Sequence, residues 1–364
     1  MSPDTDRPSA SRAVGAWIFT CAALVLAMVV VGGVTRLTRS GLSITEWRPV
    51  TGALPPLSPA AWTEEFAKYQ RSPEFLLVNR SMTLEGFKSI FLVEWFHRLL
   101  GRFVGVAVLL PLGWFAAKGR LSRRRIAQLG GIFALGGLQG FVGWFMVASG
   151  LVNEPHVSHY RLTVHLLMAL GILAALVWAG LDELRGERNG PAPRTFAHAA
   201  VATLVALVVV TITWGGFMAG LHAGLAAPTF PTMNGQWIPS ALPVGGRAAL
   251  ENPLTVHFLH RALAYLTALV AAVAAVSVLR EDPTPAARLA SRAVLAVVAM
   301  QVLLGALTVL RYVPVSLASM HQANGALLLA CAVALLHTVR RDGAPQPVTI
   351  SDAPRAVVPD AGVC

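Results

Sequence analysis

Charge is scarce in this chain. Only 13% of its 364 residues are Asp, Glu, Lys or Arg, about half of the roughly 25% that a soluble domain carries. Too little charge is present to coat two water-facing domains, which the length alone would allow, so a soluble enzyme is excluded. Cysteine is scarce as well. Cys21 and Cys331 fall in apolar runs and Cys364 is the last residue, so no pair is placed for a disulfide or a thiolate metal site, and redox work by thiols is not expected. Acids are fewer than bases, 18 against 29, which leaves a net charge of +11. What the chain has in quantity is apolar: 55% hydrophobic residues and a mean hydropathy of +0.61. Eight stretches reach the length of about 20 residues that a bilayer crossing takes, which also excludes a single-pass receptor.

The basic residues lie between the apolar runs rather than on one aromatic-interleaved face, so no nucleic acid partner is expected. Spans are predicted near 13–35, 89–117, 126–149, 161–181, 197–218, 253–279, 290–310 and 315–339. The short loops around 118–125, 182–196 and 280–292 carry five, three and three Lys/Arg, whereas those near 150–160, 219–252 and 311–314 carry none, one and one. Positive charge retained inside then puts both termini in the cytoplasm and the 36–88 segment outside, with membrane lipid around the spans. Residues 1–12 and 341–364 are expected to be cytoplasmic tails. Residues 1–12 include Asp4 and Asp6, unlike an acid-poor presequence, and the expected compartment is a bacterial inner membrane.

The chain repeats itself. GGVTRLTRSGLSITEWRP leaves the first span and GGFMAGLHAGLAAPTFP leaves the fifth, with Gly32, Gly33 and Gly41 matching Gly215, Gly216 and Gly224 at identical spacing. EWFHRLLGRF from Glu94 matches HFLHRALAYL from His257, Gln139 matches Gln301, and His165 matches His321. Four helices are duplicated, and because four is even the copies enter the membrane from the same side. The expected fold is therefore an all-α polytopic membrane protein. Its eight transmembrane helices form two parallel, pseudo-twofold-related four-helix bundles, at 13–181 and 197–340, joined by a cytoplasmic linker at 182–196.

His97, His165, His260 and His321 all lie in even-numbered spans, a few residues from the outer end, so each repeat supplies two imidazoles at similar depth. An ionisable side chain inside a bilayer marks a functional site, and paired imidazoles from neighbouring helices are a usual way of holding haem iron. The other histidines have local explanations: His337 at a helix C-terminus, His198, His156 and His159 near the interfaces, His222 in an external turn. His257 stands one turn before His260 and is either a partner or an alternative ligand. Glu94 occupies the matching place in the first repeat, where it is a candidate for proton transfer or an ion-pair partner of Arg98 or Arg102.

Those residues carry a resemblance. GLSITEWRPVTGALPP, the segment KYQRSPEFLLVNRSMTLEGFKSIFLVEWFHRLLGR from Lys68, and TFPTMNGQWIP in the second half resemble the haem A synthase family of the mitochondrial and alphaproteobacterial type, over about 14–340. The resemblance implies an oxidoreductase that oxidises the C8 methyl of haem O to a formyl group by successive hydroxylations, making haem A for cytochrome oxidase. It implies haem O as substrate between His97 and His165, haem b as cofactor on His260 and His321, and Glu94 as the catalytic acid. Haem O synthase, cytochrome oxidase assembly factors and a second copy of the chain are the implied partners. Arg36, Arg39 and Arg98, with Arg48 and Arg261, are expected propionate partners. Two departures stand out: the loop cysteine pairs of one branch of the family are missing, and His222 stands where the family usually has an acid. The alternative is a dihaem b-type electron-transfer protein, which would leave Glu94 idle.

Overall fold

The computed structural model describes residues 7–48, 51–152, 155–186, 194–240, 242–243, 245–281 and 283–342. The first six residues, most of the 341–364 tail with Cys364, and half of the 182–196 linker lie outside that set. Among the described residues there is no strand, only an isolated bridge between Met233 and Gln236. Eight helices are long and apolar enough to cross a membrane: α1 (Arg7–Leu37), α4 (Leu84–Ala117), α5 (Arg123–Ala148), α6 (His159–Arg185), α7 (Phe196–Gly220), α9 (Pro253–Arg280), α10 (Pro285–Leu310) and α11 (Val315–Asp342). Three short helices, α2 (Pro59–Tyr69), α3 (Pro73–Leu77) and α8 (Ala248–Glu251), lie in the long connections. The eight expected spans are all present.

Their starts are written in capping residues. Thr83, Ser122, Ser158, Thr195, Asn252 and Thr284 each accept a backbone N–H of the first turn. Each satisfies one of the donors that a helix start leaves free. The cap also explains why α4 begins at Leu84, five residues before the expected position. Its added residues carry Phe87, and the first turn of the expected span carries Phe91, into an aromatic cluster with Tyr69, Trp62, Phe66 and Phe75. Tyr69 stacks on Phe87 with ring centroids 5.1 Å apart, and Trp62 meets Phe91 edge-on at 5.1 Å. Within the 36–88 connection α2 and residues 51–53 pack on α4, and Trp47 meets Trp144 of α5, with α2 and α3 capped by Ser58 and Ser72.

Helices α1, α4, α5 and α6 form a ring of neighbours, as do α7, α9, α10 and α11. The rings meet where α6 packs on α7, α1 on α11, and α6 on α11. Exchanging the first four helices for the last four, in order, interchanges the α6–α7 and α1–α11 contacts and returns α6–α11 to itself. The apolar core follows the seam, with Ile18, Leu173, Leu176, Leu204, Val208, Leu329 and Leu335 buried in one continuous cluster. Large apolar side chains on the outer helices, such as Leu110, Leu269 and Leu303, face outward, as a hydrocarbon surround requires.

Candidate functional site

Each of the four histidines sits against a glycine of the preceding helix in its own ring. A methyl built at Gly32 would lie 3.2 Å from His97 Nε2, and one at Gly215 would lie 3.2 Å from His260 Cε1. One at Gly143 or Gly305 would lie 2.9 Å from Cε1 of His165 or His321. Any larger residue would push the ring aside. His165, His260 and His321 are the seventh, eighth and seventh residues of their helices, whereas His97 is the fourteenth, because α4 starts in the external layer.

The second pair has the geometry of a metal sandwich. His260 and His321 have ring centroids 6.4 Å apart at an interplanar angle of 78°. Two imidazoles on one metal, at about 2 Å from each nitrogen, hold their centroids about 6 Å apart. His260 Nδ1–H donates to Thr211 O at 3.1 Å, which leaves Nε2 with its lone pair, the arrangement that metal-binding histidines use. In the first pair, His97 and His165 are close enough to couple electrostatically, and His165 Nδ1 is buried without a partner. The residues present fit haem iron in both rings.

Glu94 is buried at 2% exposure and held from three sides. Ser43 Oγ donates to Oε2 at 2.7 Å, the Ile44 amide donates to Oε2 at 2.8 Å, and Arg98 Nη2 pairs with Oε1 at 2.7 Å. Of the two ion pairs open from sequence, the one with Arg98 is formed. Arg98 also donates to the carbonyls of Ile44 and Glu46. The second ring repeats the device: Arg261 donates to His257 Nε2 at 2.9 Å and to the carbonyls of Ala227 and Thr232. One turn further, Arg102 donates to Arg48 O and Tyr265 to Pro231 O. Each of the two long loops is clamped by donors in the turns that follow His97 and His260. His257, whose Nε2 accepts from Arg261, belongs to that clamp, while His260 faces His321.

Arg36 Nη2 is buried without a hydrogen-bond partner, and Arg39 reaches solvent in a left-handed conformation (φ 54°). Both sit near His222, which is also left-handed at φ 54° and stands edge-on to His156 with centroids 6.5 Å apart. Burial first, then Arg36, Arg39 and His156, push His222 down to about 4. Arg48 pairs with Glu46. His337 is buried near the C-terminus of α11, with Nε2 3.0 Å from Asp182 Oδ1 and its ring edge-on to Trp178, a tie between α11 and α6. His198 opens α7, its amide donating to the Thr195 cap.

Sequence reasoning treated Gln139 and Gln301 only as repeat markers, yet both reach the site. Gln139 Nε2 donates to His165 O at 2.9 Å and lies 3.5 Å from His165 Nε2, and Gln301 Nε2 lies 3.4 Å from His321 Nε2. Asn324, which the sequence did not single out, donates to Gln301 Oε1 at 2.8 Å. Gly143 and Gly305 were also missed; the available signal was that each follows its glutamine by four residues.

Known proteins resemble the chain along its length. A family model described as cytochrome oxidase assembly protein matches residues 15–333. A haem A synthase of Rhodospirillum centenum is 46% identical over 350 residues, covering 94% of this chain and 92% of the relative. One of Nitrosospira multiformis is 45% identical over 336 residues (91% and 94%), and one of Azorhizobium caulinodans is 46% identical over 329 residues (88% and 93%).

Proposed function

The chain belongs to the cytochrome oxidase assembly protein family, and from that premise we propose how its two rings divide the labour of a haem A synthase. The protein is a multi-pass membrane oxidoreductase that converts haem O to haem A. In our reading the rings are related by a pseudo-twofold axis along the membrane normal, residues 13–181 hold haem O and residues 197–340 hold haem b. The membrane is the bacterial inner membrane with both termini cytoplasmic, and haem O synthase and cytochrome oxidase assembly factors are neighbours in the pathway, with self-association as a further contact.

The observation that carries the division is the seating of all four histidines on glycines at repeat-related positions, beside one asymmetry: Glu94 in the first ring stands where the second has His257. Two matching sites of which only one has the carboxylate fit a reacting site and a serving site. His97 and His165 would flank the substrate iron, and His260 and His321 would ligate haem b. When bound, haem b supplies a one-electron redox centre. Turning the C8 methyl into a formyl takes two hydroxylations and the loss of one water, and the dehydration needs a proton moved at the substrate's edge. Glu94 stands one turn before His97, and its oxygens would hold or release that proton while Ser43, the Ile44 amide and Arg98 fix their position. Arg36, with its unpartnered buried Nη2, and Arg39 would meet the propionates at the outer rim; Arg98 has its donors on Glu94 and the loop carbonyls.

Extracting the haems from purified variants tests the division. His97→Ala should lose haem O and haem A while keeping haem b, and His260→Ala should lose haem b. Two molecules of haem b in the unaltered protein, with neither haem O nor haem A, would favour the electron-transfer reading instead.

A further inference from the structure

The two rings differ beside their second histidines in a way that bears on which haem each accepts. Gln301 is saturated: its Oε1 accepts from Asn324, which also donates to Val297 O. Gln139 is not. Its Nε2 is committed to the carbonyl of His165, which fixes which end of the amide is oxygen, and its Oε1 is buried with no partner. The residue matching Asn324 in the first ring is Met168, which has no N–H to offer. An amide oxygen left buried and unpaired costs free energy unless something donates to it.

Space accompanies the free acceptor. Gly136 and Gly140 share the face of α5 that carries Gly143 and Gln139, and nothing approaches within 4 Å of a methyl built at either. The same face is closed lower down by Leu129 and Ile132, both buried. At the matching positions of α10 stand Val298, buried in the core, and Val302. The first ring is therefore open at Gly136 where the second holds the buried Val298, next to an acceptor that the second ring has capped.

We propose that Gln139, with the opening at Gly136 and Gly140, is the element that selects haem O over protohaem, its Oε1 accepting the hydroxyl of the substrate's hydroxyethylfarnesyl side chain and the glycine face taking the start of the isoprenoid. Haem O differs from protohaem by this group: a hydroxyl donor and a long apolar chain replace one vinyl. A vinyl leaves Oε1 unpaired, and a site built to hydrogen-bond a hydroxyl discriminates strongly against an analogue that lacks it. Val298 and the Asn324-capped Gln301 suit the smaller haem. Gln139 is here a specificity residue rather than a catalytic one, and the inference rests on the reading that the first ring holds the substrate.

The test is haem content and haem preference in purified full-length protein. Gln139→Leu and Gly136→Val should each lower bound haem O about tenfold while haem b stays at the unaltered level, which also reports correct folding. In optical titrations of the first ring, the preference for haem O over protohaem should fall toward one in Gln139→Leu. Equal weakening toward both haems would reduce Gln139 to a structural support and overturn the proposal, as would unchanged haem O content in both variants. His97→Ala separates the two levels. If it removes haem O and Gln139→Leu does not, selection lies elsewhere in the first ring; if it leaves haem O bound, the assignment of the rings fails.

Discussion

With three donors on its two oxygens, the Glu94 carboxylate is fixed in place and at the same time ties the loop residues Ser43 and Ile44 to α4. His257 does the equivalent with Arg261 alone, so anchoring does not by itself require a carboxylate. The excess is chemical: beside its three donors the carboxylate keeps a lone pair that can take a proton, whereas the one accepting nitrogen of the His257 imidazole is taken by Arg261. Glu94→Gln separates the two roles, because the amide keeps the volume and one oxygen for Ser43 and Ile44. Haem A formation by Glu94→Gln should fall by about 100-fold, the scale of lost general acid–base catalysis, while haem O and haem b remain bound. Activity within a few-fold of the unaltered protein would assign Glu94 to loop anchoring alone. The sequence marked Glu94 because it is an acid in an apolar run. Ser43 and Ile44, some fifty residues away, carried no mark, since a serine and a backbone amide in a loop look alike whether or not they meet a carboxylate.

At the level of elements, the paired glycines of α1 and α7 divide their work. Gly32 and Gly215 admit the histidine of their own ring, whereas Gly33 and Gly216 admit the other ring: a methyl at Gly33 would lie 2.7 Å from Gln322 Nε2 on α11, and one at Gly216 would lie 2.5 Å from Thr163 Oγ1 on α6. Close approach of backbones at small residues is how membrane helices associate. Gly220, a turn beyond Gly216, faces His159 so closely that a methyl would lie 2.6 Å from its backbone Cα, and a backbone cannot swing away as a side chain can. Gly220→Ala should therefore lower the unfolding midpoint in detergent, at a cost of about 1–3 kcal/mol. Gly137→Ala, with nothing within 4 Å, should leave the midpoint unchanged or raise it through helix propensity. Equal effects of the two would mean that the seam yields. The spans were legible in the sequence because apolar length and flanking charge act locally. The early start of α4 was not, since it depends on Phe87 and Phe91 finding Tyr69 and Trp62 in another segment.

The whole molecule is two rings joined along α1, α6, α7 and α11, and its polar ties lie at both ends of that seam. Gln322 donates to Val29 O at 2.7 Å, Tyr160 OH bonds Glu251 at 3.0 Å, and the end that carries the C-terminus of α11 is closed by His337 with Asp182 and Arg185 with Thr338. Equivalent segments of the internal repeat make equivalent helix contacts. These ties were not readable because most have no counterpart in the other ring; Asp182, for instance, corresponds to Thr338. At the opposite end the seam brings His156 of the first ring against His222 of the second, beside Arg36 and Arg39. His222 is held down to about 4, by burial and then by these cationic and imidazole neighbours, whereas an unfolded chain binds the proton near its ordinary value of about 6.5. The unfolded state therefore takes up the proton first as pH falls, so the contribution of His222 is complete above about pH 6.5 and is lost as pH drops toward 4. The unfolding midpoint of the unaltered protein should decline more steeply across that window than that of His222→Asn. Parallel declines would show that the outer seam does not respond to His222. A carboxylate docked on Arg36 would remove part of the repulsion, so haem-loaded protein should show the shallower decline of the two forms, and the difference between loaded and haem-free protein should vanish in His222→Asn.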